Sequence, residues 1–139
     1  MAVEIRIHPL DFEQDVAIGI DLPMIAGGAA FKSNYTTLDQ ATANAKNLLL
    51  TNKGERIMQP DFGCDLNKSL FENITEDLTI LVQDTIKSSF NYWLPYIFIN
   101  ELSVTPKEDE NKIFIKLVIS LEGNKFDTRS IQLELTNTQ

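Results

Sequence analysis

The chain is poor in the residues on which most catalytic and metal sites depend. It has a single cysteine, Cys64, and a single histidine, His8, in 139 residues. One cysteine excludes a disulfide within the chain and fits synthesis in a reducing cytoplasm. One cysteine and one remote histidine are also too few ligands for a structural zinc ion. We therefore expect Cys64 to be a small buried side chain and His8 to be solvated or packed, and we predict no metal and no cofactor.

Basic residues and long apolar runs are scarce as well. Lys and Arg number 12 against 20 Asp and Glu, a formal net charge of −8, and the basic residues form no stripe. Phosphate backbones are bound by concentrated Lys and Arg, so nucleic acid is a poor partner. No apolar run approaches the roughly 20 residues that cross a bilayer. The N-terminus also lacks the basic segment and apolar core of a secretion signal. We therefore expect a soluble globular protein that binds neither nucleic acid nor membrane.

Apolar periodicity separates a helical first part of the chain from a strand-rich second part. The length favours one domain. Thr37 and Gln40 fit a capping box, so a helix is expected to start there and to stop at Asn52-Lys53-Gly54, with Gly54 in the left-handed cap conformation. A second long helix is predicted from Thr75, its cap, to the residue before Pro95.

Each long helix carries one apolar face that is expected to be buried. In the first helix the face consists of Leu38, Ala41, Ala45, Leu48 and Leu49. In the second helix it consists of Leu78, Leu81, Val82, Ile86, Phe90 and Trp93. A short helical turn is expected between them, within residues 66–71.

The rest of the chain has the two-residue period of strands. The signal begins at Ile97 and slips phase around Asn100-Glu101, which indicates a bulge. Residues 113–121 alternate most clearly, and the last strand is predicted at Ser130–Leu135. Short turns between consecutive strands imply an antiparallel meander. The predicted fold is α+β, with two main helices on one face of a small three-stranded antiparallel sheet.

Residues 1–36 differ from the remainder and are predicted to be an N-terminal arm, followed by a single domain at 37–139. Residues 3–7 alternate as a short strand would. Residues 18–30 are apolar but contain Gly19, Pro23 and the pair Gly27-Gly28, so they cannot form a regular helix. An exposed apolar arm would be sticky. It either packs over its own domain or lies in a groove of a partner.

Catalytic motifs are weak in this sequence. No nucleophile motif joins His8 to Cys64, and Gly27-Gly28 lacks the spacing of a phosphate-binding loop. A glycosidase needs two acids that face each other across a cleft. With 20 acids in the chain, chance neighbours are expected. Asp65 suits a helix cap, Glu76-Asp77 suit the start of a helix, and Glu55 suits an ion pair with Arg56 or a partner contact. An acidic hydrolase is therefore an alternative without a motif.

Residues 53–72, KGERIMQPDFGCDLNKSLFE, are the most informative stretch. Gly54, Pro60 and Gly63 restrict the backbone, and Phe62 is expected to anchor the loop in the core. A segment so constrained between two helices is usually a shaped surface rather than a spacer. The planar fork of Arg56 either pins the loop to its own domain or binds a partner, and both possibilities stay open.

The same region resembles a known family. The run at residues 48–72 is similar to the signature of the baseplate wedge, or sheath-initiator, family of contractile phage tails, which is related to a component of type VI secretion baseplates. The similarity extends more weakly over about residues 17–136. The shared pattern is an apolar helix end and a threonine, followed by Gly54-Glu55-Arg56, Pro60, Phe62-Gly63 and Leu70-Phe71-Glu72.

This resemblance implies a small α+β domain to whose sheet strands of the tail sheath protein add. Strand addition relies on backbone hydrogen bonds and needs an uncovered sheet edge. Some members carry Glu-Pro-Arg after the second long helix, in a loop that grips a helical bundle of neighbouring wedge proteins. Here that position reads Leu94-Pro95-Tyr96, without either charge. The resemblance therefore implies an apolar contact at this loop or none.

Candidate protein-binding residues fall into three groups, and no catalytic residue is predicted. They are Glu55, Arg56, Gln59 and Asp61 in the loop; Trp93, Leu94 and Tyr96 at the helix end; and Ile131, Leu133 and Leu135 in the last strand. Gly54, Pro60, Phe62 and Gly63 are predicted to shape the loop. The implied partners are other baseplate wedge proteins, the tail sheath protein, and tail tube or hub proteins.

The sequence thus favours a non-enzymatic structural protein of a contractile tail baseplate. It would be made and assembled in the host cytoplasm, and it would reside in the virion. It would bind neighbouring wedge proteins and initiate the sheath. Two alternatives remain: an acidic, lysozyme-like peptidoglycan hydrolase of the tail, and a small protein-binding adaptor. An adaptor could share the fold of a baseplate protein, so the fold alone does not distinguish these two functions.

Overall fold

The computed structural model describes residues 9–13, 15–22, 32–69, 71 and 76–136. These residues form three α-helices and two antiparallel sheets. The elements in chain order are β1 (Gly19–Ile20), β2 (Ser33–Asn34), α1 (Thr37–Leu50), α2 (Leu66–Ser69), α3 (Glu76–Trp93), β3 (Ile97–Lys107), β4 (Lys112–Leu121) and β5 (Asn124–Thr136), with short 3-10 helices at Pro9–Phe12 and Glu108–Glu110. The α+β class and the three-stranded C-terminal meander are confirmed.

Helix α1 begins at the predicted place with a different cap. Thr36 is the N-cap, and its hydroxyl accepts a hydrogen bond from the backbone N–H of Asp39 at 3.2 Å. The prediction that Thr37 caps the helix is wrong because Thr37 is already helical. Its N–H and its hydroxyl both donate to the Asp11 carboxylate at 2.8 Å. The hydroxyl that was expected to cap the helix is therefore hydrogen-bonded to a residue 26 positions earlier in the chain.

The end of α1 is also earlier than predicted. The helix stops at Leu50, and the C-cap Thr51 is extended, with φ −89° and ψ 129°. The Thr51 N–H still donates to the Asn47 carbonyl at 3.1 Å. Gly54 does take a positive φ, 91°, but it does so in the following turn and not at the helix cap. All five residues of the predicted apolar face of α1 are buried, as expected.

Helix α3 confirms most of its predicted face. Its buried residues are Leu78, Val82, Ile86 and Phe90, and Trp93 is partly buried against the same core. Leu81 was predicted to be buried and is 52% exposed, because it lies beyond the edge of the stripe that meets the sheet. The helix ends at Trp93, before Pro95, and the Leu94 N–H still donates to the Phe90 carbonyl at 2.9 Å.

The larger sheet has the order β3-β4-β5, with β4 in the centre. The predicted bulge is confirmed, since the pairing of β3 with β4 shifts register between Ile99 and Glu101. Asn100, in the bulge, accepts a hydrogen bond from the buried Ser120 hydroxyl at 3.1 Å. Strand β5 is longer than predicted and already starts at Asn124. Residues 125–130 are all exposed, so no apolar alternation in the sequence indicates this half of the strand.

The core lies between the two long helices and one face of this sheet. Helix α3 packs on β3, and α1 packs on β4 and β5. Alternate residues of β4 supply the centre of this core: Ile113, Ile115, Leu117 and Ile119, each at most 2% exposed. The opposite face of the sheet carries ion pairs, including Lys112–Glu134 at 2.8 Å. This arrangement places the helices on one face, as predicted.

The described part of residues 1–36 contacts α1. The Lys46 ammonium donates to the Leu22 carbonyl at 2.8 Å, and the Asn34 side chain donates to Gln40 at 3.2 Å. These contacts are the ones expected of an arm that packs on its own domain, although residues 1–8 and 23–31 lie outside the described residues. The short strand at 3–7, His8, the breaks at Pro23 and Gly27-Gly28, and the cap at Thr75 also lie there. The boundary between an arm at 1–36 and a domain at 37–139 stays a prediction.

Candidate protein-binding surface

The segment from residue 51 to residue 65, called the connector loop below, is closed on itself by three hydrogen bonds. The Gly54 N–H donates to the Pro60 carbonyl at 2.7 Å, and the Cys64 N–H donates to the Thr51 carbonyl at 3.1 Å. The Lys53 N–H donates to the Asp65 carboxylate at 2.6 Å. Both ends of the loop are therefore tied together, and residues 55–59 form its tip.

Gly63 is required by two independent features of this closure. Its φ is 129°, which residues with a side chain rarely adopt. A Cβ atom on Gly63 would also lie 2.4 Å from the Thr51 carbonyl oxygen and 2.9 Å from the Asn52 carbonyl carbon. Backbone atoms at that distance cannot move aside without opening the loop. Gly54 differs, because its φ of 91° is also positive but no atom lies within 4 Å of the position that a Cβ would take there.

The ionised carboxylate of Asp65 fixes the C-terminal end of the connector loop. Its carboxylate also accepts from the Lys68 ammonium at 2.9 Å, and its own φ is 52°, a conformation that Asp and Asn tolerate better than most residues. Partial burial raises the pKa of Asp65, but the hydrogen bonds from Lys68 and from the Lys53 N–H, together with the two lysine charges, outweigh it, so the net pKa is lowered. The ionised carboxylate therefore stabilises the closed loop.

This electrostatic arrangement predicts a dependence on pH. Because the pKa of Asp65 in the folded chain lies below the ordinary 3.8, its contribution to stability is complete above that pH and is lost as the pH falls through the lowered value. We expect Asp65→Asn to reduce the free energy of unfolding at about pH 7 and to flatten its decline towards about pH 3. Urea denaturation across this range measures both effects. Asp61→Asn is the matched control in the same loop, and identical profiles for the two variants would contradict this role of Asp65.

Aromatic contacts join the connector loop to the end of α3. The guanidinium carbon of Arg56 lies 4.0 Å from the centre of the Phe62 ring, and Phe62 is 8% exposed. The Phe62 and Trp93 rings meet edge to face, with centroids 5.1 Å apart. Tyr92 meets Trp93 in the same way at 4.9 Å. Two predicted groups of binding residues are thus brought together through the Phe62 ring, which is 31 positions from Trp93 in sequence.

The remaining predicted residues of these two groups differ in what they offer to a partner. Glu55, Gln59, Pro60 and Asp61 are exposed. The Glu55 carboxylate accepts from the N–H and the side chain of Asn52, at 3.2 and 2.9 Å, and so does not form the ion pair with Arg56 that the sequence suggested. Leu94 is 7% exposed and has little side chain to offer. The Tyr96 hydroxyl accepts a hydrogen bond from Asn44 at 2.9 Å, and Tyr96 is 38% exposed.

The third predicted group lies elsewhere on the sheet. Ile131 and Leu135 are buried, and Leu133 is partly buried against the core. Ile131 pairs with Leu117 of β4, whereas the helix end precedes Ile97, which pairs with Leu121. Four residues of strand separate these positions, about 14 Å. Ile131 and Leu135 can therefore reach a partner only through their backbone, and the group is not part of the surface around Phe62 and Trp93.

The two residues most prominent at the tip of the connector loop were not among the predicted binding residues. Ile57 is 95% exposed and Met58 is 92% exposed. Both residues are apolar, and the sequence alone does not distinguish a buried apolar residue of a loop from an exposed one. The available signal was their position between Arg56 and Pro60, at the turn of a loop closed by glycine on both sides.

Cys64 has the structural role expected of it. It is 1% exposed, and burial is the main cause that raises the pKa of its thiol, against the opposing effect of a hydrogen bond with Ser89. Among the described residues no group of three His, Cys, Asp or Glu side chains is placed to hold a metal ion. None of the helices within the described ranges is both long enough and apolar enough to span a membrane.

Comparison with known proteins identifies the family to which this chain belongs. The family model described as baseplate wedge protein gp25 matches residues 39–125, which include α1 from its third residue, the connector loop, α3, β3 and β4, and only the first two residues of β5. Baseplate wedge protein gp25 of Enterobacteria phage T4 is 32% identical over 91 residues, covering 66% of this chain and 69% of the relative. The chain therefore belongs to the baseplate wedge protein family, as the resemblance of the signature indicated.

Solved structures share the fold. A protein of Geobacter sulfurreducens described as a tail lysozyme superimposes with a TM-score of 0.63 at 20% identity, covering 84% of this chain and 98% of that one. A chain of the postcontracted pyocin R2 baseplate gives a TM-score of 0.56 at 22% identity, covering 74% and 98%. At this level of identity the likeness extends to the fold alone.

Proposed function

We propose that this chain is a non-enzymatic structural component of a contractile tail baseplate wedge. It binds neighbouring wedge proteins through the connector loop and the end of α3, and it initiates the sheath when a strand of the sheath protein adds to its sheet. It works in the virion after assembly in the host cytoplasm. The observation that carries the proposal is an outer strand, β5, that no other strand pairs with on its free side among the described residues, in a chain of the baseplate wedge family.

The two outer strands of the sheet are not equally suited to strand addition. Strand β3 contains Pro106, which has no N–H, and it is bent by the bulge at Ile99–Glu101. Strand β5 contains no proline, and its pairing with β4 runs without a break from Thr128 to Thr136. A regular edge without proline is the better template for a further strand. We therefore assign strand addition to residues 128–136 of β5.

The charges on this edge are already paired within the chain. Glu134 contacts Lys112 at 2.8 Å. Arg129 lies 3.5 Å from Asp39 and 3.2 Å from Asp127. Charged side chains commonly guard exposed edges against association. Here intramolecular pairing leaves little net charge along residues 128–136 to repel an added strand.

The helix end is proposed to make an apolar contact. Leu94-Pro95-Tyr96 stands where some members of the family carry Glu-Pro-Arg. Because Leu94 is buried, the accessible groups are the exposed Tyr92, the partly buried Trp93 and the Tyr96 ring. Aromatic side chains are enriched at protein interfaces because they combine a large apolar area with few rotatable bonds. The neighbour is therefore expected to present an apolar surface here rather than a charged one.

Two acids of the connector loop, Glu55 and Asp65, have structural partners, which favours the structural role over hydrolysis. The Glu55 carboxylate is bonded to Asn52, and the Asp65 carboxylate is bonded to Lys53 and Lys68. Glu76 and Asp77 lie in the first turn of α3, where they suit the helix dipole. A glycosidase acid would instead need a raised pKa and a second carboxylate facing it. The fold shared with the Geobacter sulfurreducens protein does not by itself carry an activity.

Disruption of the gene tests this proposal. We expect particles without the chain to lack assembled sheath, and a plasmid copy of the wild-type gene to restore it, as seen by negative-stain electron microscopy. We also expect the purified protein to leave cell-wall substrate intact. Normal sheathed tails in the disrupted strain would refute sheath initiation. Clearing of cell-wall substrate that is lost on a single Glu or Asp substitution would instead support a hydrolase, and co-purification with cytoplasmic rather than tail proteins would support an adaptor.

A further inference from the structure

The tip of the connector loop presents two adjacent apolar side chains almost wholly to solvent. Ile57 and Met58, at 95% and 92%, are the most exposed large apolar residues in the described part of the chain. Such exposure costs free energy in water that burial would recover. A single exposed apolar residue is ordinary, but two neighbours at the end of a closed loop form a small protruding apolar surface, called the apolar tip below.

The apolar tip is already ordered in the unbound chain. Behind it the loop is closed by the Gly54–Pro60 hydrogen bond at 2.7 Å and fixed to the core by the buried Phe62. The Phe62 N–H also donates to the Gln59 carbonyl at 3.1 Å. A loop whose backbone is already ordered loses little conformational entropy on binding. This is the arrangement found in residues that dominate binding energy, which are commonly anchored side chains on a rigid support.

Arg56 places a charged group at the border of the apolar tip, and this group favours a carboxylate as its partner. Its guanidinium carbon lies 4.0 Å from the centre of the Phe62 ring, and its planar fork of N–H donors suits a carboxylate. Among the described residues, no carboxylate lies within ion-pair distance of Arg56. The two nearby acids have other partners: Glu55 is hydrogen-bonded to Asn52, and Asp65 to Lys53 and Lys68. A planar guanidinium beside an apolar anchor matches a carboxylate at the rim of an apolar pocket.

We infer that the connector loop inserts Ile57 and Met58 into an apolar pocket of a neighbouring baseplate protein, whose rim carries a carboxylate that binds Arg56. The inference rests on the proposed function, since it requires a baseplate partner, but it concerns a surface separate from the β5 edge. A protein partner fits better than a lipid surface because the chain carries a net charge of −8 and the exposed Asp61 lies in the same loop.

The experiment uses the full chain, tagged and co-expressed with the other baseplate proteins of the same particle. The test variant is Ile57→Ser/Met58→Ser, and the control is Ile80→Ser, which changes an apolar residue of α3 that is 57% exposed. Thermal unfolding is measured for each variant and is expected to be unchanged, because all three side chains face solvent. We expect the double variant to bind the baseplate proteins at least about 30-fold more weakly, and Ile80→Ser to bind as the wild type does.

Two further measurements identify the pocket. A photo-reactive methionine at position 58 is expected to cross-link to an apolar segment of a baseplate protein with Asp or Glu close by. Arg56→Gln is expected to weaken binding about tenfold and to remove part of its dependence on salt, as loss of an ion pair would. Flotation with anionic and neutral vesicles, and sedimentation of the chain alone, test a lipid surface and a second copy as occupants.

Each outcome decides the inference. Wild-type binding by the double variant, an equal loss in Ile80→Ser, loop-dependent binding to vesicles or self-association through the loop would each overturn it. Loss of binding confined to the loop variants, with the expected cross-link, would support it. The proposed function has its own readout, because normal sheaths in the absence of the chain would refute it whatever the loop variants do.

Discussion

Replacing Gly63 with alanine is expected to lower the free energy of unfolding by about 3 kcal/mol. The positive φ of 129° contributes about 1–2 kcal/mol of strain for a residue with a Cβ. The contact of that Cβ with the Thr51 carbonyl oxygen, at 2.4 Å, adds the cost of displacing backbone, about 1–3 kcal/mol. Because the Cys64 N–H bonds to the same carbonyl, the displacement would also weaken the closure of the connector loop.

Gly54→Ala separates the two causes. Gly54 has a φ of 91° but open space around its Cβ position, so only the strain applies and the loss is expected to be about 1 kcal/mol. Urea denaturation of both variants measures the difference. Pro60→Ala should also cost more than Cys64→Ser, since Pro60 fixes the backbone that accepts the Gly54 hydrogen bond. Equal tolerance at Gly63, Pro60 and Cys64 would show that the loop is not shaped in this way.

Replacing Leu135 with lysine is expected to be at least as damaging. Leu135 is 7% exposed in the core cluster, opposite Ile113 of β4. A buried ammonium either loses its proton or draws water into the core, and shifts of several pKa units, at about 1.36 kcal/mol each, imply a loss of about 4 kcal/mol. Since the neutral amine is easier to bury, the loss should shrink as the pH rises towards the ordinary pKa of lysine. Thermal melts at several pH values measure this recovery.

Two variants in β5 provide the comparison for Leu135→Lys. Ser130 is exposed and pairs with Val118, so Ser130→Lys should leave stability nearly unchanged. Leu133 is only partly buried, so its lysine variant should lie between the two, with the ammonium reaching solvent along its own aliphatic chain. A Leu135→Lys protein as stable as the wild type would show that this end of β5 does not face the core.

The sequence was most informative where a periodic pattern coincided with burial. The alternation at residues 113–121 marked β4, and its slip near Asn100 marked the bulge in β3. The apolar face of α1 was read correctly for the same reason. The N-terminal half of β5 could not be read in this way, because residues 125–130 are all exposed and therefore show no apolar alternation.

Tertiary contacts decided the features that the sequence left ambiguous or misled. Thr36 and Thr37 are equally good caps, and only the approach of Asp11 determines which hydroxyl is free to cap α1. The contact between Phe62 and Trp93 joins two predicted binding groups that no local pattern connects. The exposure of Ile57 likewise depends on the closure of the connector loop and not on its composition.

An electron cryo-microscopy map of the assembled particle, at a resolution that traces strands, tests the central claim most directly. The account predicts this chain within the baseplate wedge, a strand of the sheath protein hydrogen-bonded along residues 128–136 of β5, and a neighbouring protein in contact with Ile57 and Met58. A map in which the β5 edge and the connector loop both face solvent, with the sheath beginning on another protein, would contradict it.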